Sequence, residues 1–167
     1  MHLPKYRCTG NESKSLFEFF SEGPHGRIRK LVEFTRTKFA NVYNLGFGDF
    51  DESSKCINDI VITNNGDSMK VLTTVASTVY DFTAAYPKAI IFATGSTKSR
   101  TRLYRIGINR HLIEIQRDFV IFGSNNYLIW EEFVPGNEYN AFFLTKKENQ
   151  QALWRQLAKV NRQNHPQ

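Results

Sequence analysis

The strongest chemical signal in the chain lies where Thr94-Gly95-Ser96-Thr97 runs into Lys98-Ser99-Arg100-Thr101-Arg102-Leu103-Tyr104-Arg105. The apolar run 89–93 ends at this Gly/Ser/Thr turn and a helix opens after it, which sets free backbone amides and hydroxyls at the positive end of a helix dipole. That arrangement favours an anion. Gly95, Ser96, Thr97, Lys98, Arg100, Arg102 and Arg105 are therefore the first candidate ligand-binding residues. Cations in the first turn of a helix oppose its dipole at ~0.3–1 kcal/mol each, a conflict that a bound phosphate would remove. Neither Gly-x4-Gly-Lys-Ser/Thr nor Gly-x-Gly-x-x-Gly occurs here, so the stretch is neither a P-loop nor a dinucleotide fingerprint.

A second strand-to-helix turn is Thr63-Asn64-Asn65-Gly66-Asp67-Ser68. Asn and Gly supply left-handed turn geometry, and Asp67 or Ser68 can cap the following helix. The same residues, Asn65, Gly66 and Ser68 above all, can instead form one wall of a ligand site beside residues 95–105, at the carboxyl ends of two neighbouring parallel strands. Other chemistry is thinly represented. Asp49, Asp51 and Glu52 read as an exposed acidic turn, although paired carboxylates can serve acid/base work. His2, His25, His111 and His165 are scattered without metal-ligand spacing, which argues against a metal and against a Ser/His/Asp or Cys/His triad.

Charge reinforces the first signal. The formal charge of +6 is uneven: residues 96–117 carry a local +5, residues 146–167 a local +4, and the remainder is mildly acidic. Clustered cations on such a body suggest phosphate, coenzyme or nucleic acid as the partner rather than a uniformly basic coat, the alternative being solvated helix faces. With 167 residues, 41% of them hydrophobic and 14 of them Phe, the chain has material for one well-filled core and is neither fibrous nor disordered. Two cysteines, Cys8 and Cys56, fit a reducing compartment. The N-terminus lacks the apolar stretch of a secretory signal and no run reaches membrane-span length, so no membrane partner and a cytoplasmic location are expected.

The elements that would position these residues follow from periodicity. Leu16–Ser21, a Gly23-Pro24-His25-Gly26 turn and Ile28–Thr35 read as an antiparallel hairpin. Asn41–Phe47, a loop over 48–54 and Ile57–Thr63, with Ile60 and Ile62 on one face and Asp59 facing solvent, read as a second. Met69, Leu72, Val75, Ala76, Val79, Phe82 and Tyr86 have the spacing of an amphipathic helix that Pro87 ends, and Ala89–Ala93 is a buried strand, completing a strand-helix-strand crossover. After the helix at 98, Asn109 is expected to cap a separate helical piece, Arg110–Asp118, before a strand at Phe119–Phe122. Tyr127–Phe133 and Tyr139–Thr145 read as a last hairpin. Gln150–Lys159 reads as a terminal amphipathic helix, docked on the body or bound to a partner, with 161–167 frayed.

Phe17-Glu18-Phe19, Ser21-Glu22-Gly23-Pro24, Tyr43-Asn44-Leu45, Phe47-Gly48-Asp49, Asn64-Asn65-Gly66-Asp67 and the run from Ala93 to Arg105 together resemble a family of small uncharacterised bacterial proteins, mostly from Bacteroidetes, catalogued as a domain of unknown function. That resemblance, over about Phe17–Leu144, implies a single cytoplasmic domain and no mechanism. Residues 57–108 also resemble part of the acyl-CoA-dependent N-acetyltransferase superfamily. There a strand, Gly-containing turn, helix and strand precede a helix with the pattern Asn-x-x-Ala-x-x-Leu-Tyr-x-x-x-Gly-Phe, here Leu103-Tyr104-Arg105-Ile106-Gly107-Ile108. The resemblance implies that Gly66, Asp67 and Ser68 hold the pyrophosphate of coenzyme A, and that Tyr104 acts as a catalytic general acid on the leaving thiolate.

These readings give an α+β fold: a mixed, mostly antiparallel sheet with one helical crossover and helices packed on it, forming a single domain over 1–147 with an amphipathic helix and tail at 148–167. The first functional expectation is a domain binding a phosphate-bearing ligand, a nucleotide or a coenzyme such as CoA. The alternatives are a nucleic-acid-binding protein, possibly a toxin or regulator, and an acyl-CoA-dependent N-acyltransferase-like enzyme.

Overall fold

The computed structural model describes residues 2–58 and 63–164, with side chains up to residue 159. Among these residues the elements are β1 (Thr9–Gly10), β2 (Leu16–Gly23), β3 (Gly26–Arg36), β4 (Val42–Asp51), β5 (Cys56–Asn58), α1 (Ser68–Ala85), β6 (Ile90–Thr94), α2 (Lys98–Asp118), β7 (Phe119–Ser124), β8 (Glu131–Glu132), β9 (Ala141–Lys146) and α3 (Gln150–Asn164). The strands form one mixed sheet in the order β1-β2-β3-β4-β6-β9-β7-β8, with β5 paired to β4 outside that path. The fold is α+β, and the sheet is mostly antiparallel: among the described strands only β4 and β6 are parallel neighbours, joined through α1. A right-handed helical crossover is the ordinary way to connect parallel neighbours.

Strand alternation divides the core into two layers. On one face Phe17, Val32, Phe34, Leu45, Ile91, Phe119 and Ile121 pack with α1 through Leu72, Val75, Val79 and Phe82; Phe34 and Phe82 stack with ring centroids 4.1 Å apart. The 3.6-residue stripe of α1 produces this contact, and Pro87 follows where the stripe ends. On the other face Val42, Ile90, Val120 and Phe122 are covered by Leu153 and Leu157 of α3, which are 0% and 2% exposed. The terminal helix is thus docked on the sheet.

Several local expectations are corrected. Asn109 caps nothing: α2 is one helix from Lys98 to Asp118. A glycine at 107 is tolerated in its interior and lies against Leu72 of α1, where an added Cβ would come within 3.3 Å of Leu72 Cδ2. The expected last hairpin does not form. β9 pairs with β6 on one side and β7 on the other, whereas 127–130 turn, because Asn126 Oδ1 accepts from the backbone N–H of Leu128 and Ile129, both at 3.0 Å, and Tyr127 has φ +63°. Only Glu131–Glu132 reach strand geometry there, against β7. The second hairpin forms between β4 and β5, while the rest of its expected outer strand, 59–62 with Asp59, Ile60 and Ile62, lies outside the described residues. Helix α3 continues through Asn164, so 161–164 are helical rather than frayed.

Candidate anion-binding groove

Parallel strands β4 and β6 pair only through Val42–Asn44 and Ile90–Phe92, after which β4 runs on to Asp51 and β6 ends at Thr94. The strands therefore fork towards their carboxyl ends. A sheet fork leaves ladder groups of the longer strand without a neighbour, and buried carbonyls need donors. Helix α2 supplies them: Arg100 Nη1 donates to the Phe47 carbonyl and Tyr104 Oη donates to the Leu45 carbonyl at 3.4 Å. Both side chains are buried, at 3% and 7% exposure, and both lie against the Phe47 ring. Residues 100 and 104 share one face of α2 by the i, i+4 rule.

The turn before α1 and the turn from β6 into α2 meet beside this fork, and not at the ends of two neighbouring parallel strands as expected, because β5 ahead of α1 pairs antiparallel with β4. Asn64 and Ser68 at the start of α1 and Thr97, Ser99, Arg102, Leu103 and Ile106 at the start of α2 line a groove of about 530 Å³. Three hydroxyls, one carboxamide and one guanidinium stand over an apolar strip, and among the described residues no carboxylate lies in the wall. Neither helix carries an acidic residue in its first turn; the positive end of α2 is left for an outside anion, while at α1 the Asp67 carboxylate stands at the N-cap position on the side of the adjoining groove. Thr97 caps α2, its Oγ1 accepting from the Arg100 backbone N–H at 3.2 Å. An adjoining groove of about 690 Å³ shares Asn64 and Ser68 and adds Lys70 and Arg110, with Glu22 and Asp67 as counter-charges.

Of the residues expected to bind ligand, Ser68, Thr97 and Arg102 come together in the groove. Gly66 lines the adjoining one and has φ +73°, the left-handed conformation that the turn requires. Gly95 acts through the backbone: an added Cβ would lie 2.3 Å from the Thr101 nitrogen, so only glycine lets the first turn of α2 close over it. Ser96, just before α2, and Lys98, its first residue, are exposed. Arg100 is inside, on the fork. Arg105 is half-buried and leans towards Glu138, with Nη1 to Oε1 at 3.8 Å.

Asn65 is 1% exposed and its amide is occupied internally, Nδ2 donating to Ser21 Oγ at 3.1 Å and to the Gly26 carbonyl at 3.0 Å while Oδ1 accepts from the His25 N–H at 2.8 Å. It fastens the β2–β3 turn to the start of α1. Asp67 occupies the N-cap position of α1 without capping it, since its Oδ2 accepts from Tyr6 Oη at 2.7 Å and Ser21 Oγ at 2.6 Å.

Asn64, Ser99 and Arg110 line the two grooves although neither the turn motifs nor the charge cluster singles them out as ligand residues. Arg102, Ile106 and Arg110 form an i, i+4, i+8 row that becomes visible once α2 is read as one helix. One buried titratable group also borders this region. His111 is 2% exposed, with Nε2 3.2 Å from Thr73 Oγ1. Because that hydroxyl donates to the Met69 carbonyl at 2.8 Å, it accepts from Nε2–H, which leaves Nδ1 as the unprotonated nitrogen, 3.9 Å from Glu114 Oε2. Burial holds the His111 pKa below its ordinary value, opposed by the Glu114 carboxylate.

Fold and groove together define an α+β protein with paired helix N-termini at the fork of a mixed sheet. Within that class, the chain belongs to DUF6934, a family of unknown function, whose sequence profile matches residues 2–147. No curated protein and no solved structure matches it. No helix of the described residues is long and apolar enough to cross a membrane.

Proposed function

We propose that the protein binds a phosphate-bearing ligand, of nucleotide or coenzyme type, in the groove between the first turns of α1 and α2. The observation that carries the reading is the convergence of the first turns of α1 and α2, neither of which holds an acidic residue, with Arg102 in a groove that has no carboxylate among its described lining residues. Ser68 and Thr97 offer hydroxyls and backbone amides to phosphate oxygens, Arg102 supplies a charge-assisted fork, and Leu103 and Ile106 give an apolar strip for a base or an alkyl portion. Calorimetric titration with acetyl-CoA and with ATP at physiological salt tests it: saturable binding of either that Arg102→Ala weakens supports the reading, and no saturable heat from both removes it.

A second reading is favoured by the place of Tyr104. Its hydroxyl lies in the fork between β4 and β6, within one helical turn of the groove, where the partial resemblance to acyl-CoA-dependent N-acetyltransferases assigns a general acid. In that reading a thioester ligand displaces the Tyr104–Leu45 hydrogen bond and the phenol protonates the departing thiolate. Tyr104→Phe would then abolish acyl transfer to an amine while leaving coenzyme affinity intact. A nucleic-acid reading has less support, because α2 and α3 cover opposite faces of the sheet and their cations do not form one surface.

A further inference from the structure

Behind the α1–α2 contact lies a chamber of about 80 Å³, bounded by Leu72 and Val75 of α1, Tyr104 and Ile108 of α2, and Ile91 and Phe142 of the sheet. Its wall is hydrocarbon almost throughout, and the Tyr104 hydroxyl is turned to the Leu45 carbonyl. Such a space does not hold water stably, because a buried water needs two to four polar partners. It stays open because small residues, Ala76 and Ala93, stand at positions in the wall where larger aliphatic side chains would fill it. Tyr80, packed edge-on against Phe119 at 5.0 Å, lines both the chamber and a polar pocket of about 280 Å³ that also includes Lys5, Asp81, Glu114, Arg117 and Asp118. An apolar cavity of about 150 Å³ admits benzene, so by proportion this one has room for roughly three to four carbon atoms in a row.

We infer that this chamber is a binding site for a short unbranched hydrocarbon group of about three or four carbons, the tail of a small amphiphile whose polar head stays in the polar pocket that shares Tyr80 with it. The inference is independent of the anion-binding groove. Straight-chain 1-alkanols from ethanol to hexanol serve as probes, followed through the methyl NMR signals of Leu72, Val75 and Ile91. Affinity is expected to rise about fourfold per methylene up to butanol and to fall at hexanol, as the transfer free energy of each added methylene is gained only while it fits. Ala93→Leu, which fills the chamber from the sheet, and Ala76→Leu, which fills it from α1, should remove these shifts. Affinity that climbs steadily with chain length, shifts that persist in a folded filled variant, or the absence of shifts in the wild-type protein would each overturn the inference.

Discussion

Two arginines one residue apart on each side of Thr101 should behave oppositely when replaced. Arg100 is 3% exposed and donates to the Phe47 carbonyl in the fork, so Arg100→Met keeps the aliphatic volume and removes the donor. An unsatisfied buried carbonyl costs about 1–3 kcal/mol, and a domain of this size loses roughly 2–4 °C in Tm per kcal/mol, so the midpoint should fall by about 2–12 °C. Arg102 is exposed in the groove wall; Arg102→Ala should change stability by no more than about 0.5 kcal/mol, as surface substitutions usually do. Its effect belongs to binding, where losing one charge-assisted hydrogen bond costs about 1.5–3 kcal/mol, a tenfold or larger rise in Kd. Thermal unfolding by circular dichroism and calorimetry with acetyl-CoA or ATP read the two properties separately. Arg102→Ala lowering Tm with unchanged affinity, or Arg100→Met leaving Tm untouched, would refute the assignment of the two side chains.

Asn65→Ala should lower stability by about 2–3 kcal/mol in chemical denaturation, since it strands partners at Ser21, His25 and Gly26, and a loss under 0.5 kcal/mol would contradict its role as a fastener. Leu153→Ala should cost about 2–5 kcal/mol as a core truncation if α3 is integral to the fold, and a near-neutral result would show a loosely attached helix. His111 gives a pH dependence: its folded pKa lies below the unfolded value, so its contribution to stability is complete above pH ~6.5 and is lost as pH falls towards the folded pKa, while the unfolded chain takes up the proton first. His111→Gln should flatten the fall in stability between neutral and mildly acid pH, and an unchanged profile would assign that fall to other groups.

How far the sequence disclosed these features depends on how local each one is. The stripe from Leu72 to Phe82 and the break at Pro87 are local, and α1 forms where they place it. The two strand-to-helix turns were legible from Gly, Asn and hydroxyl residues next to apolar runs. The directions of the cations were less so: at about 100° per residue Arg100 points about 200° from Lys98 while Arg102 lies within about 40° of it, and treating the four cations as one cluster merged a fork-filling residue with a groove residue. Insertion of β9 between β6 and β7 is a long-range event without a local signature. The apolar residues of Tyr127–Phe133 imitate a strand, but Asn126 bends the chain first.

The most direct test of the anion-binding account is a calorimetric titration of the full chain with acetyl-CoA and ATP at physiological salt, repeated on Arg102→Ala and followed by a short RNA in the same buffer. The account predicts saturable binding of a phosphate-bearing small molecule at one site per chain, weakened at least tenfold by Arg102→Ala. Absence of heat with both small molecules, together with salt-sensitive RNA binding that survives loss of Arg102, would contradict it.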